Sequence, residues 1–163
     1  MDRALGGRDV LDVGVVVALS PDYAGDGIAF VATHGELWCT ADRGHRWERV
    51  VPGLSRRSRA GGGDPLVGRR VVEVSVSPWF AEDALVLVGT LDGAVARSVD
   101  SGWTWEAIAQ LRGPVAGFEF PDGFEHDRQV LVSTRVDGVV AVDVAVDSVA
   151  VDGPRVGTGP VAA

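Results

Sequence analysis

Thr40-Ala-Asp42-Arg-Gly44-His-Arg-Trp47 and Ser98-Val-Asp100-Ser-Gly102-Trp-Thr-Trp105 place a hydroxyl residue, an aspartate, a glycine and a tryptophan at one shared spacing, each after a strand-like run. The aspartate carboxylate can accept backbone N–H groups a few residues on, and the glycine can take the positive φ of a tight turn. Each octet therefore predicts a self-capped turn. Trp47 and Trp105 fall at the first inward position of the following strand, where an indole fills the wedge between neighbouring sheets. Two such turns in one chain predict consecutive four-stranded antiparallel units packed side by side.

A second repeat lies between these octets. Ser20-Pro21-Asp22-Tyr23-Ala24-Gly25-Asp26 returns as Ser77-Pro78-Trp79-Phe80-Ala81-Glu82-Asp83, and more weakly as Phe120-Pro121-Asp122-Gly123-Phe124-Glu125-His126-Asp127. Each copy precedes an apolar strand ending in Thr (28–33, 85–90, 130–134), then a turn at Gly35, Asp92-Gly93 or Asp137-Gly138, then another strand. The proline segments read as loops. Pro21, Pro78 and Pro121 end a strand, Tyr23, Phe80 and Phe124 tuck onto the sheet, and Asp26, Asp83 and Asp127 cap the return. Trp79 and Trp103 stand where the other copies have Asp and His, and are candidate exposed contacts.

Pro78 to Pro121 spans 43 residues, one propeller blade, whereas Pro21 to Pro78 spans 57 and implies an insertion. The expectation is a single all-β domain over 1–163, a propeller-like stack of about three four-stranded blades. Blade 1 covers about 10–51, an Arg/Gly-rich loop 52–70, blade 2 about 71–109, a degenerate blade 3 about 115–153, and a tail 154–163. The Gly, Ser, Pro and Arg content of 52–70 predicts a mobile loop that buries no apolar surface.

Composition narrows the function classes. With 46% hydrophobic and 23% charged residues the chain can bury a core. Its fifteen basic side chains are all Arg, against twenty-three acids, a formal charge of -8 that argues against nucleic-acid binding. Residues 43–70 nevertheless carry eight Arg against Glu48 and Asp64, so one region is basic. The lone Cys39 reads as a buried, inert thiol. Asp9 and Asp12 intrude just ahead of the run 13–19 and argue against a signal-peptide core, and no stretch approaches the roughly twenty apolar residues of a membrane span, so the expected location is cytoplasmic. His34, His45 and His126 lack ligand spacing, and no metal or cofactor is expected.

The octets resemble the BNR or Asp-box repeats of the sialidase-like propeller superfamily, among WD40/YVTN/BNR-like repeat proteins. The resemblance covers 15–109 well and 115–153 in outline. It implies a propeller and leaves function open, because that superfamily includes sialidases, xyloglucan hydrolases, sorting receptors and photosystem assembly factors. On this resemblance Thr40, Asp42, Gly44, Trp47, Ser98, Asp100, Gly102 and Trp105 are structural. A sialidase would need an arginine cluster, a tyrosine nucleophile and an acid. The one tyrosine, Tyr23, occupies a position filled elsewhere by Phe80 and Phe124, so no catalytic residue is assigned.

Antiparallel order puts the Asp turns and proline loops at one end and the remaining connections at the other. That second end gathers His34, Arg56, Arg57, Arg59, Arg69, Arg70, Asp92, Arg112, Arg135 and Asp137, the candidate binding face for an acidic protein or glycan. The expected role is a non-catalytic binding or assembly scaffold. The alternatives are a sialidase-type glycoside hydrolase or a degenerate relative of one, with Asp92 and Asp137 as a formal carboxylate pair, and a photosystem-assembly-factor-like protein. Three blades are fewer than the four to eight of closed propellers, so a second copy or a second propeller fragment is the expected partner. Residues 115–163, with three Arg against eight acids, are the complement to the basic flank of blade 1.

Overall fold

A computed structural model describes residues 15–33, 35–50 and 66–145. Blade 1 contains β1 (Val16–Leu19), α1 (Tyr23–Asp26), β2 (Ala29–Thr33), β3 (Glu36–Thr40) and β4 (Glu48–Val50). Blade 2 contains β5 (Val71–Val76), α2 (Phe80–Asp83), β6 (Val86–Thr90), β7 (Ala94–Ser98) and β8 (Glu106–Gln110). Blade 3 contains β9 (Val115–Glu119), α3 (Phe124–Asp127), β10 (Gln129–Thr134) and β11 (Gly138–Asp143). Every sheet is a meander of antiparallel neighbours, β1-β2-β3-β4, β5-β6-β7-β8 and β9-β10-β11. The fourth strand expected in blade 3, and the tail, lie outside the described residues.

The three sheets share one register. Val17, Val31 and Trp38 sit opposite one another across β1, β2 and β3. Val74, Val88 and Ala96 do so in blade 2, and Phe118, Val132 and Val140 in blade 3. Because alternate residues point to opposite faces, these rows define a rear face on each blade, and the intervening residues define a forward face.

Two cores follow from this. The first joins Phe30, Ala32 and Leu37 of blade 1 to Val74, Val86, Val88 and Ala96 of blade 2. The second joins Leu87, Val95 and Ala109 of blade 2 to Phe124, Val130, Val132 and Val140 of blade 3. β6, which has a seam on either side, is buried at all five positions, as β2 and β7 also are. That explains its run of apolar residues in place of strict alternation.

The proline segments are not wholly loops. Each contains one helical turn, closed by a left-handed residue at Gly27, Ala84 or Arg128. Ser20 Oγ donates to Asp26 and Ser77 Oγ to Asp83, at 2.5 and 2.8 Å, while the two carboxylates accept the N–H groups of Ile28 and Leu85. Asp127 caps nothing among the described residues, since Phe120 replaces the serine; Phe120 instead packs edge-on to Phe124 at 4.8 Å. The insertion also departs from expectation at its end. Leu66 is buried in the first seam, so the loop does contribute apolar surface, although 51–65 fall outside the described residues.

Candidate functional site

The Asp turns close as two nested locks. In blade 1, Thr40 Oγ1 donates to Asp42 at 2.9 Å and accepts the N–H of Gly44, and Asp42 accepts the N–H of Arg46 at 2.8 Å. In blade 2, Ser98 repeats the role of Thr40, and Asp100 accepts both the N–H and the hydroxyl of Thr104. Gly44 and Gly102 lie at φ 85° and 91°. Arg43 and Ser101, immediately before them, are also left-handed, which the glycine-centred reading of the octet did not anticipate. The bond from Arg46 N–H holds the Asp42 carboxyl below its ordinary range. Burial pushes Asp100 upward, but the bonds from Thr104 and Ser98 outweigh it and leave that carboxyl low as well.

Trp47 and Trp105 precede β4 and β8 and are half-buried, so they are partial plugs. Trp105 packs against the first seam and donates Nε1–H to the Gly102 carbonyl at 3.1 Å. Trp79 is likewise tied down, its ring 6.1 Å from Phe124 across the second seam. Trp103 is 75% exposed and stands at a cleft of about 570 Å³ between the outer parts of blades 1 and 2, with Cys39, Arg46, Glu48 and Ser101. Burial, aided by Glu48, pushes the Cys39 thiol up to about 11, away from the reactive thiolate.

At the opposite end the blade-to-blade connections are tied to the hairpin turns. Arg69 donates to Asp92 at 2.9 Å and to Gln110. Asp92 also accepts the Thr90 hydroxyl, whose oxygen receives the N–H of Ala94, a smaller version of the Asp-turn lock. Arg112 approaches Asp137 with both its backbone N–H and Nε at 2.7 Å, and the backbone bond chiefly holds that carboxyl low. Asp92 and Asp137 thus each hold an arginine from a different blade-to-blade connection and are not brought together as a pair. Arg70 and Arg135 are exposed. His34, Arg56, Arg57 and Arg59 lie outside the described residues.

Arg97 was not singled out from sequence, where it reads as an ordinary strand residue. It is buried and donates to Glu106 and to the carbonyls of Val144 and Ala145 in blade 3. Arg128 of blade 3 completes the stitching with an ion pair to Asp83 at 3.0 Å. Among the described residues no cluster of His, Cys, Asp or Glu could hold a metal ion, and no helix is long and apolar enough to cross a membrane.

No family model and no curated protein matches the chain. Among solved structures, a chain of the mitotic checkpoint complex overlaps 90% of this chain and 44% of its own, at 11% identity and a TM-score of 0.56. The β-propeller domain of Cps50 (Swd1) from Myceliophteria thermophila overlaps 79% and 41%, at 15% identity and 0.50. YCF48 bound to a D1 peptide overlaps 85% and 52% at 14% identity, with a TM-score of 0.36, too loose to bear on the fold. The first two likenesses show the architecture, successive blades of a β-propeller, and the chain spans less than half the length of those two.

Proposed function

We propose that this chain is a non-catalytic Asp-box repeat propeller that serves as a binding scaffold, engaging an acidic protein or glycan through the end opposite its Asp turns. The observation that carries this reading is the separation of charge between the two ends. The Asp-turn end, 20–28, 41–47, 77–85, 99–105 and 120–128, holds nine acids against three arginines. The described part of the other end holds Arg69, Arg70, Arg112 and Arg135 against Asp92 and Asp137. With Arg69 and Arg112 engaged by those two carboxylates, Arg70 and Arg135 remain to meet an anion, and guanidinium forks suit carboxylate and sulfate.

The hydrogen bonds of Asp42 and Asp100 support an architectural role for the octets. Asp92 and Asp137 are occupied by Arg69 and Arg112, and Tyr23 sits in a helical turn at the opposite end from these two arginines. Neither arrangement supplies the machinery of a glycosidase. The test is retention of the full chain on immobilised poly-glutamate and on heparin at low salt. Wild type is expected to bind one of them with steep salt dependence, and Arg70→Glu with Arg135→Glu to weaken that binding about tenfold. Equal retention of the double variant, or no retention of wild type on either matrix, refutes the reading. Turnover of chromogenic glycosides lost on changing Asp92 or Asp137 would replace it with the hydrolase alternative.

A further inference from the structure

Blades 2 and 3 present the same rear face to the blade before them. Val74, Val88 and Ala96 are 2%, 0% and 0% exposed against blade 1, and Val132 and Val140 are likewise buried against blade 2. Phe80 and Phe124 complete the two rear faces and are both buried. In blade 1 the matching register positions are Val17, Val31, Trp38 and Tyr23. This row has seam composition and no described blade in front of it. Val31 is buried, as are Ala29 and Thr33 on the same face of β2, yet on β1 Val17 is 55% exposed and Leu19, the next rear residue, is 52% exposed.

The other end of the stack is the complement. Blade 2 meets blade 3 with Leu87 and Val95; the matching forward positions of blade 3 are Leu131 and Val139, beside Ala141, with Glu119, Gln129 and Asp143 on the same face. Val139 is 49% exposed. Among the described residues, a rear face exposed along β1 and a forward face exposed at Val139 match the two halves of a single seam. We propose that they dock on each other between two copies of this chain, closing a six-bladed ring through two equivalent seams. Six blades fall within the four to eight that close a propeller, and head-to-tail contacts form a closed ring when the rotation per subunit allows it.

Charge complementarity supports this occupant and fixes the register. Within the chain, Asp83 of blade 2 bridges to Arg128, the left-handed residue closing α3 of blade 3. Advancing one blade replaces Asp83 by Asp127 and Arg128 by Gly27 of the second copy. Gly27 has no side chain, but Arg43 lies against it. A Cβ at Gly27 would sit 3.0 Å from Arg43 Cγ, Arg43 N–H donates to the Gly27 carbonyl, and its guanidinium reaches Ala24. The Asp127 carboxylate is exposed and has no hydrogen-bond or ion-pair partner among the described residues, so it is placed to meet Arg43 of the other copy. This inference concerns the end faces of the stack and stands apart from the anion-binding end.

Light scattering coupled to size exclusion on the full chain tests it. The expected species has twice the 17.1 kDa chain mass, with nothing larger. A monomer at every concentration, or an open series of higher oligomers, overturns the proposal. Val17→Asp with Leu19→Asp changes side chains that are half in solvent, and is expected to give a folded monomer with an unaltered β-sheet circular dichroism spectrum. A persisting dimer overturns it. Asp127→Arg and Arg43→Asp are each expected to weaken the dimer about tenfold, since like charges then face each other, and the double exchange to restore it. Absence of either effect refutes the Asp127–Arg43 register.

Discussion

Gly89 provides a sharp check on how closely the second seam is packed. It lies in β6 with a negative φ that any residue adopts, so local backbone geometry does not demand glycine. Replacing glycine by alanine in such a strand would ordinarily gain about 0.5–1 kcal/mol through lower chain entropy. Here a Cβ would collide with Cβ and Cγ1 of Val115 and come within 2.9 Å of Cγ2. Val115 is itself buried at the start of β9, and its Cβ cannot swing away. Overpacking of this kind costs about 1–3 kcal/mol, and the clash involves atoms anchored to backbone, so the upper half of that range applies. Gly89→Ala is therefore expected to lose about 1–2 kcal/mol net, a fall in Tm of roughly 3–6 °C for a chain of this size. Urea titration at fixed protein concentration measures it. Val115→Gly moves the gap to the opposite strand, and the pair should be less destabilised than the sum of the single changes by about 1–2 kcal/mol. A neutral or stabilised Gly89→Ala, or strict additivity, would mean that β6 and β9 do not approach as described.

Two further outcomes concern the Asp turns. Asp42 and Asp100 have carboxyl groups held below their ordinary values, so they bind protons less readily folded than unfolded. Their stabilisation is complete above the unfolded carboxylate value of about 4 and is lost as pH falls through the lower folded values. Tm measured between pH 7 and 2.5 should show that acid limb, and Asp100→Asn should flatten it; an unchanged profile contradicts the assignment. Trp105→Ala opens the first seam and should cost about 2–3 kcal/mol. Trp103→Ala, at a 75% exposed position, should stay within about 0.5 kcal/mol, and similar losses at both sites would contradict their placement.

What could be read from the chain was what is local. The octets could be recognised because donor, acceptor and left-handed glycine lie within five residues of one another, as Thr40, Asp42 and Gly44 do. The helical turns 23–26, 80–83 and 124–127 were hidden, since one turn of helix has no periodicity of its own and proline loops share its composition. Gly89 and Arg97 were hidden for a different reason. Their partners, Val115 and the carbonyls of Val144 and Ala145, are distant in sequence and adjacent only once blades stack. The arginines of the basic end were visible as charge, but not the division of Arg69 and Arg112, held by Asp92 and Asp137, from Arg70 and Arg135 facing solvent.

The asymmetry of the two end faces decides how copies can meet. Rear face against rear face would oppose Val17 and Leu19 with their own duplicates and would leave the forward face of blade 3, with Leu131 and Val139, uncovered. Forward against forward would bring the exposed carboxylates of Glu119 and Asp143 toward their equivalents while abandoning the apolar row of blade 1. Only rear on forward covers both surfaces, and a two-fold rotation applies it twice. Since each sheet of a stack is stabilised chiefly by its immediate neighbours, such closure covers what the two end blades leave in solvent, Val17 and Leu19 of β1 and Val139 of β11.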